Sequence, residues 1–331
     1  MVAAPVDDPA LPPDVRAVSF DPLAVAYAPT RTESGTPIHW ESGCVFLRPH
    51  PAGALDVPSV AEPLRRAADG WEAATAGCSY LRFLIEPPEE GEVRYDRINR
   101  IIVREERWCR PGPPERCYDH SSVANTTVYF LERPGDPTDG VIVDADLELN
   151  AVDFALANCD AATGACTTAG TGERHDLQNV LTHELGHVIG LNHLCWSNTP
   201  ATAPYDADGN TIPQCNTVLP PEITLATMYN FAEPEELIKR SPEADDVDGA
   251  CTRYPAAADP GTCARVGVPG GDPDADPGGG DDTGGDDAGA GDAGCCGAAG
   301  APTPSVLCAV ALAALARRRR GRGNDRGVRR V

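Results

Sequence analysis

The sequence predicts an α+β domain followed by a tail of different character. Three observations carry that reading. Segments rich in β-branched and aromatic residues recur among stretches whose apolar residues follow a 3.6-residue period. Both kinds end near residue 255, where YP (254–255) closes the pattern. Beyond that point the apolar residues give way to Gly and Asp.

Residues 1–36 are rich in Pro and Ala without sustained periodicity, and read as a lead-in arm. PIHWESGCVFLRPH (37–50) alternates enough for a first strand. In SVAEPLRRAADGWEAATAG, Ser59 and Glu62 have the spacing of a capping box, and Val60, Leu64, Ala67 and Trp71 share one helical face. Gly77 is placed to end that helix. YLRFLIE (80–86), RINRIIVREE (97–106), NTTVYFLER (125–133) and GVIVDADLELN (140–150) are strand candidates, the last strictly alternating after Asp144. Asp176 is a good N-cap for a helix from Leu177 to about Ile189, with Leu177, Val180, Leu181, Leu185 and Val188 on its apolar face and Gly190 as its stop. Residues 195–227 read as loop, and a last helix covers Pro242 to about Arg253.

Composition narrows the function. The chain has 331 residues and a formal net charge of -23. Residues 317–331 hold eight Arg and one Asp, which leaves 19 basic and 49 acidic groups in the first 316, a balance of -30. So acidic a body repels phosphate, which argues against nucleic acid as a partner. Ten of the 13 cysteines fall between Cys44 and Cys263 with no CxxC spacing, so disulfides in an exported protein are expected rather than metal knuckles. Proximity in sequence suggests Cys44/Cys78, Cys109/Cys117, Cys159/Cys166, Cys195/Cys215 and Cys251/Cys263, although sequence alone leaves the connectivity open. MVAAPVDDPALPPDV shows neither a basic start nor an apolar run, so no signal peptide is visible. Export then implies a start upstream of Met1 or a trimmed N-terminus.

The chemistry concentrates in LTHELGHVIGLNH (181–193), which holds three of the seven histidines. His183 and His187 are i and i+4 on one helix, so both imidazoles project from one face and can reach one ion at about 2.0–2.1 Å. Gly190 lets the chain turn sharply and return His193 as a third nitrogen ligand. Three neutral histidines leave zinc an open position for water, whose pKa falls to about 7, and Glu184 beside the ion can take that water's proton as it attacks a carbonyl carbon. By composition, H-E-x-x-H-x-x-G-x-x-H arises by chance about 10⁻⁵ times in such a chain. The bland alternative is a helix that carries core histidines.

HELGHVIGLNH resembles the zinc signature of the metzincin metalloproteases. The helix with Trp71, GVIVDADLELN, the zinc helix, TMYNF (227–231) and DDVDGACTRYP follow in the order of a matrixin-like catalytic domain, which residues 37–255 would form. The resemblance implies a twisted mixed β-sheet with an antiparallel edge strand, an active-site helix bearing HExxH, and a small C-terminal subdomain with a Met-turn and final helix. It implies that Met228 forms an apolar floor beneath the zinc. It does not make Tyr229 a ligand, because the family members with a zinc-interacting tyrosine place it two positions after the methionine, where Asn230 stands here. It also implies an edge strand that pairs with an extended peptide, and VDADLELN (143–150), with Val143, Ala145 and Leu147, looks like that strand; an ordinary internal strand fits the pattern equally well. Neither a cysteine-switch propeptide nor the family's extra zinc site has a match here. His120 reads as a loop histidine and His175 as a surface residue.

Two weaker signals remain. Asp206, Asp208 and Asn210, with Gly209, alternate like calcium-loop ligands, but a plain Asp-Gly turn explains them as well. At the other end, 256–294 form an acidic Gly/Asp-rich linker, with eight Asp and no basic residue in 271–294. Residues 295–331 run Cys295 and Cys296, an apolar stretch, then RRRR. That order resembles the C-terminal sorting signals of myxobacterial surface proteins; a simple tail anchor is the alternative, and both place the domain outside a membrane. The expected function is therefore a zinc endopeptidase acting on extracellular proteins or peptides. The rival is a non-catalytic, zinc-stabilised adhesin or binding module. A third option is an enzyme that uses the same site on a non-peptide amide or ester.

Overall fold

Alternation after Asp144 sorts one segment's side chains onto two chemically different faces, and the sheet is organised around that division. The computed structural model describes residues 4–5, 12, 14–20, 27–51, 59–112, 115–167, 174–196 and 204–265. Strands β1 (Ala4–Pro5) and β2 (Val15–Phe20) precede β3 (Cys44–Pro49), helix α1 (Ala61–Thr75), β4 (Arg82–Ile85) and β5 (Asn99–Arg104). A hairpin of β6 (Cys109–Arg110) and β7 (Arg116–Cys117) leads into β8 (Ala124–Leu131) and β9 (Ile142–Asn150). Short strands β10 (Ala155–Cys159), β11 (Cys166–Thr167) and β12 (Arg174–Asp176) run into α2 (Leu177–Val188); α3 (Pro221–Thr224) and α4 (Ala244–Arg253) follow.

The main sheet is mixed, in the order β1-β2-β8-β9-β5-β3-β4. The block β9-β5-β3-β4 is parallel, and β8, β2 and β1 join it antiparallel. The expected strands are all present, but two features differ from expectation. The N-terminal arm supplies two strands of its own. The segment around VDADLELN is internal and not a sheet edge: β8 pairs with it from Ile142 to Leu149 and β5 from Leu147 to Asn150, so Leu147 is bonded on both sides, while Val143 and Ala145 precede the β5 pairing and Ala145 N is taken by the Asn99 side chain. The segment is buried along its whole length, its polar residues included.

Ala145, Leu147 and Leu149 face the two helices, where they pack with Leu64, Trp71, Leu181 and Leu185 in the principal core. Val60, Leu64, Ala67 and Trp71 are buried as their helical spacing requires. The capping box at Ser59 does not form: α1 begins at Ala61 after Val60, with no side-chain cap.

The opposite face of β9 carries Asp144, Asp146 and Glu148, all fully buried. Arg104 and Arg110 bind Glu148 at 2.6 and 2.7 Å, and Tyr118 donates to it at 2.6 Å. Burial pushes Glu148 up, but Arg110 and Arg104 outweigh it and hold the carboxyl below its ordinary value. Asp144 accepts from the backbone of Asp96 and Arg97, yet burial raises it to about 7. Burial, then the neighbouring Asp144, also raises Asp146.

Among the described residues, five disulfides hold the body together. Cys109–Cys117, Cys159–Cys166 and Cys195–Cys215 join neighbours as expected, but the other two are Cys44–Cys263 and Cys78–Cys251. Sequence proximity fails there because packing brings distant ends together. Gly43 donates to Thr262 at 2.9 Å, and the end of α1 lies against α4, with Ala256 donating to Cys78 at 2.7 Å. The packed body thus extends past residue 255 to at least Arg265, which pairs with Glu86. These two links close loops of 219 and 173 residues, against 7 and 8 for the shortest, so loop-closure entropy assigns about 5 kcal/mol to each long link alone and about 2.5 to a short one. No helix among the described residues is long and apolar enough to cross a membrane. The acidic linker beyond residue 265 and the segment 295–331 lie outside the described residues.

Carboxyls whose folded pKa lies above the unfolded value bind protons more tightly when folded, so their stabilising contribution is present at low pH and is lost as pH rises through the folded pKa. With Asp144 raised to about 7 and Asp146 raised as well, the melting temperature should fall as pH rises from about 4 to about 7, and Asp146→Asn should flatten that slope. Calorimetric scans of both proteins at several pH values check this; parallel slopes would show that the buried pair does not titrate there.

Candidate metal centre

Helix α2 starts where the sequence places it. The Asp176 carboxylate accepts from Asn179 N at 2.9 Å, and Arg240 clamps the same carboxylate at 2.7 Å. Its far end, where carbonyls lose their helical partners, is held by buried rings. Trp40 Nε1 donates to Val188 O and the Tyr254 hydroxyl to Ile189 O, both at 2.8 Å. Within the helix, Trp71 Nε1 donates to Thr182 O at 2.8 Å. The chain then reverses at Gly190, whose φ is +89°. A Cβ there would stand 2.8 Å from Ile38 O, so both conformation and space demand glycine.

This reversal brings the three predicted ligands together. His193 Nε2 lies 2.9 Å from His183 Nε2 and 2.8 Å from His187 Nε2. His183 Nδ1 donates to Thr227 O at 2.6 Å and His187 Nδ1 to Leu191 O at 2.9 Å. A carbonyl oxygen only accepts, so both Nδ1 atoms carry the proton and both Nε2 atoms present lone pairs. His193 Nε2 can donate to one of them at most. The remaining contact sets lone pair against lone pair unless a cation lies between. Protonation does not relieve it, because burial drives all three imidazoles down: His187 to about 4, His183 and His193 well below their ordinary value, with His187 adding to the effect on both. Three neutral, oriented imidazoles therefore fit a metal ion. Their nitrogens sit a few tenths of an ångström inside the roughly 3.3 Å edge of a tetrahedral set with bonds of about 2.0–2.1 Å.

Glu184, the next residue round the helix, turns toward the sheet. Its carboxylate accepts from Thr126 Oγ1 on β8 at 2.6 Å, and burial, only partly offset by that bond, raises it to about 7. Thr126 is fully buried and had no motif to mark it; its sign in the sequence is a polar residue on the core-facing side of NTTVYFLER.

Met228 is fully buried beneath α2. A Cβ on Gly186 would collide with its sulfur and approach Trp71, so the missing side chain makes room for the methionine between the two helical ligands. The turn serves the site with its backbone as well: Thr227 O orients His183, and Met228 O accepts from Leu194 N at 3.1 Å, next to His193. Asp246, at the start of α4, anchors the turn by accepting from Thr227 N at 2.9 Å. The Lys239 ammonium lies over the Tyr229 ring, 5.5 Å from its centre.

Other candidates lie apart. Asp206 accepts from Asp208 N and Asn210 N at 2.9 and 2.7 Å and from Asn210 Nδ2 at 3.0 Å, with Gly209 at φ +85°. The exposed Asp-Gly turn accounts for these residues without an ion. His120 is an exposed loop residue paired with Asp153. His175, expected at the surface, is buried on β12 with its ring edge-on to Phe154, because the strand pairs with β10 before α2 begins. Cys109, Glu115 and Cys117 also cluster, but the two sulfurs are joined to each other.

No protein-family model matches the chain, and no curated protein matches it. The reading of the site thus rests on its own geometry. Gly186→Ala should destabilise the protein by about 1–3 kcal/mol, the usual cost of overpacking a filled interior. Urea denaturation measures this, and a change below about 0.5 kcal/mol would show that the methionine yields freely.

Proposed function

We infer that the protein is a zinc-dependent peptidase whose body follows the metzincin plan. The observation that carries this reading is the convergence of three neutral imidazole nitrogens with a carboxylate on the adjacent helical position. Imidazole triads suit zinc, and three protein ligands leave a position open, as catalytic sites do. The HExxH helix, the glycine reversal, the buried Met228 and the mixed sheet with antiparallel β8 support the metzincin assignment. The five disulfides suit an oxidising, extracellular setting.

When bound, zinc supplies an acidified water and polarises the substrate carbonyl. The chain provides the remainder. His183 and His187 are held in one tautomer by Thr227 O and Leu191 O, so no proton has to leave their ligating atoms. Glu184 is a base whose carboxyl, raised to about 7, matches the task of taking a proton from water and passing it to the departing amine. Thr126 fixes the orientation of that carboxylate and occupies one of its oxygens, leaving the other free to take the proton.

Glu184→Ala should retain stoichiometric zinc and lose peptide hydrolysis by about 10²–10⁴-fold, the range for removing a general base. Metal analysis with a peptide-library assay, repeated with a zinc chelator, checks both parts. Equal hydrolysis by the variant would sink the mechanism. Zinc bound without hydrolysis in either protein would favour the structural module instead.

A further inference from the structure

With β9 internal, the edge available for an extended peptide next to the centre is the outer side of β8. Thr126, which binds the Glu184 carboxylate, belongs to this strand. A peptide can pair there only through the outward N–H and C=O groups of β8, and each edge has one such set.

That set is in use. β2 pairs antiparallel with β8 over six residues, from Val15 opposite Leu131 to Phe20 opposite Thr126. Its last pair therefore falls at the residue that contacts Glu184. Asp14 secures the other end: its carboxylate accepts from Arg133 Nε at 2.7 Å and its carbonyl from Glu132 N at 3.0 Å. The chain is next anchored on the other side of the centre, where Ala28 O accepts from Asn192 N at 2.7 Å and Thr30 N donates to Gly190 O at 2.9 Å. Both anchors are hydrogen bonds. All five disulfides lie between Cys44 and Cys263, so nothing covalent but the backbone ties β2 to the body.

We propose that β2 is a self-inhibiting strand: it occupies, in the manner of a substrate, the β8 edge on which an extended peptide must dock, and it must be cut free or peeled away before such a peptide can bind. This rests on the peptidase reading. It requires no cysteine in the arm, because the arm acts by consuming the backbone groups of an edge and not by ligating the metal. A cut between Phe20 and Tyr27 would leave β2 held by non-covalent contacts, among them strand pairing, strand β1, the Asp14 contacts and the packing of Val15 with Tyr129, Leu131, Val141 and Val143.

The test uses the full-length, zinc-loaded chain with a site-specific protease sequence introduced between Phe20 and Tyr27. Peptide-library hydrolysis is measured before cutting and after the cut arm has been removed. Removal should raise hydrolysis about tenfold or more, the factor expected when an edge is free less than a tenth of the time. The synthetic peptide DVRAVSF, residues 14–20, should then inhibit the opened form competitively. In the uncut chain, Ala17→Pro combined with Val18→Pro should reproduce the gain, since proline cannot donate to the ladder. Equal hydrolysis before and after removal of the arm would overturn the proposal and leave the peptidase intact. A gain that DVRAVSF does not reverse would overturn the edge-pairing mechanism. Hydrolysis by none of the forms would overturn this proposal together with the reading beneath it.

Discussion

The reversal at Gly190 is the constraint on which the rest of the structure depends. Two histidines on one helical face can make two bonds to an ion, and a helix continuing straight would carry every later residue away from that face. A left-handed φ of +89° against the Ile38 carbonyl folds the chain back within one turn and delivers His193 to within 2.9 Å of both helical ligands. Any side chain at this position would face both backbone strain and a clash. The same turn frees carbonyls at the helix end, and their burial would be costly without donors. Trp40 and Tyr254 meet that need from opposite ends of the folded body.

The site is thus held from behind by neutral hydrogen bonds to the backbone. Thr227 O and Leu191 O orient His183 and His187 through their Nδ1 atoms without adding a counter-charge. Acidic groups are concentrated instead on the far face of the sheet, where β9 carries Asp144, Asp146 and Glu148 beneath the segment containing Arg100, Arg104 and Arg110. One strand therefore separates an apolar layer under the helices from an ionic layer on the other side. Removing one partner from such a layer is costly, about 3–5 kcal/mol, because it leaves the other charge buried and unpaired.

What the sequence revealed depended on whether the determining contact was local. The helix carrying His183 and His187 was legible to within a residue because its cap, its apolar face and its stopping glycine all lie within fifteen positions. The buried face of α1 was legible for the same reason. Asp144, Asp146 and Glu148 alternated visibly, but alternation does not distinguish an edge strand exposed on one side from an internal strand whose polar side is covered by arginines from elsewhere. The long disulfides, the burial of His175 and the role of Thr126 each arise from partners far away in the chain, and no local pattern encodes them. The arm misled for a different reason: Pro-rich composition argues against a helix or a core strand, and it says little about pairing at an edge, where half of the backbone groups need no partner.

The distribution of covalent links then separates the molecule into parts with different freedom. Cys44–Cys263 and Cys78–Cys251 bind the first parallel strand and the first helix to the end of the body, which makes the frame around α2 resistant to loosening. The short links secure the surface segments around 109–117, 159–166 and 195–215. The strand that covers the β8 edge has no such link, although it lies as close to Glu184 as the register permits. Six strand pairs are a modest hold next to a disulfide-locked core, and local opening follows the weakest cooperative unit. A frame built this way can lose its first twenty residues without losing the geometry of its histidines, whose supports come from Ala28 onward.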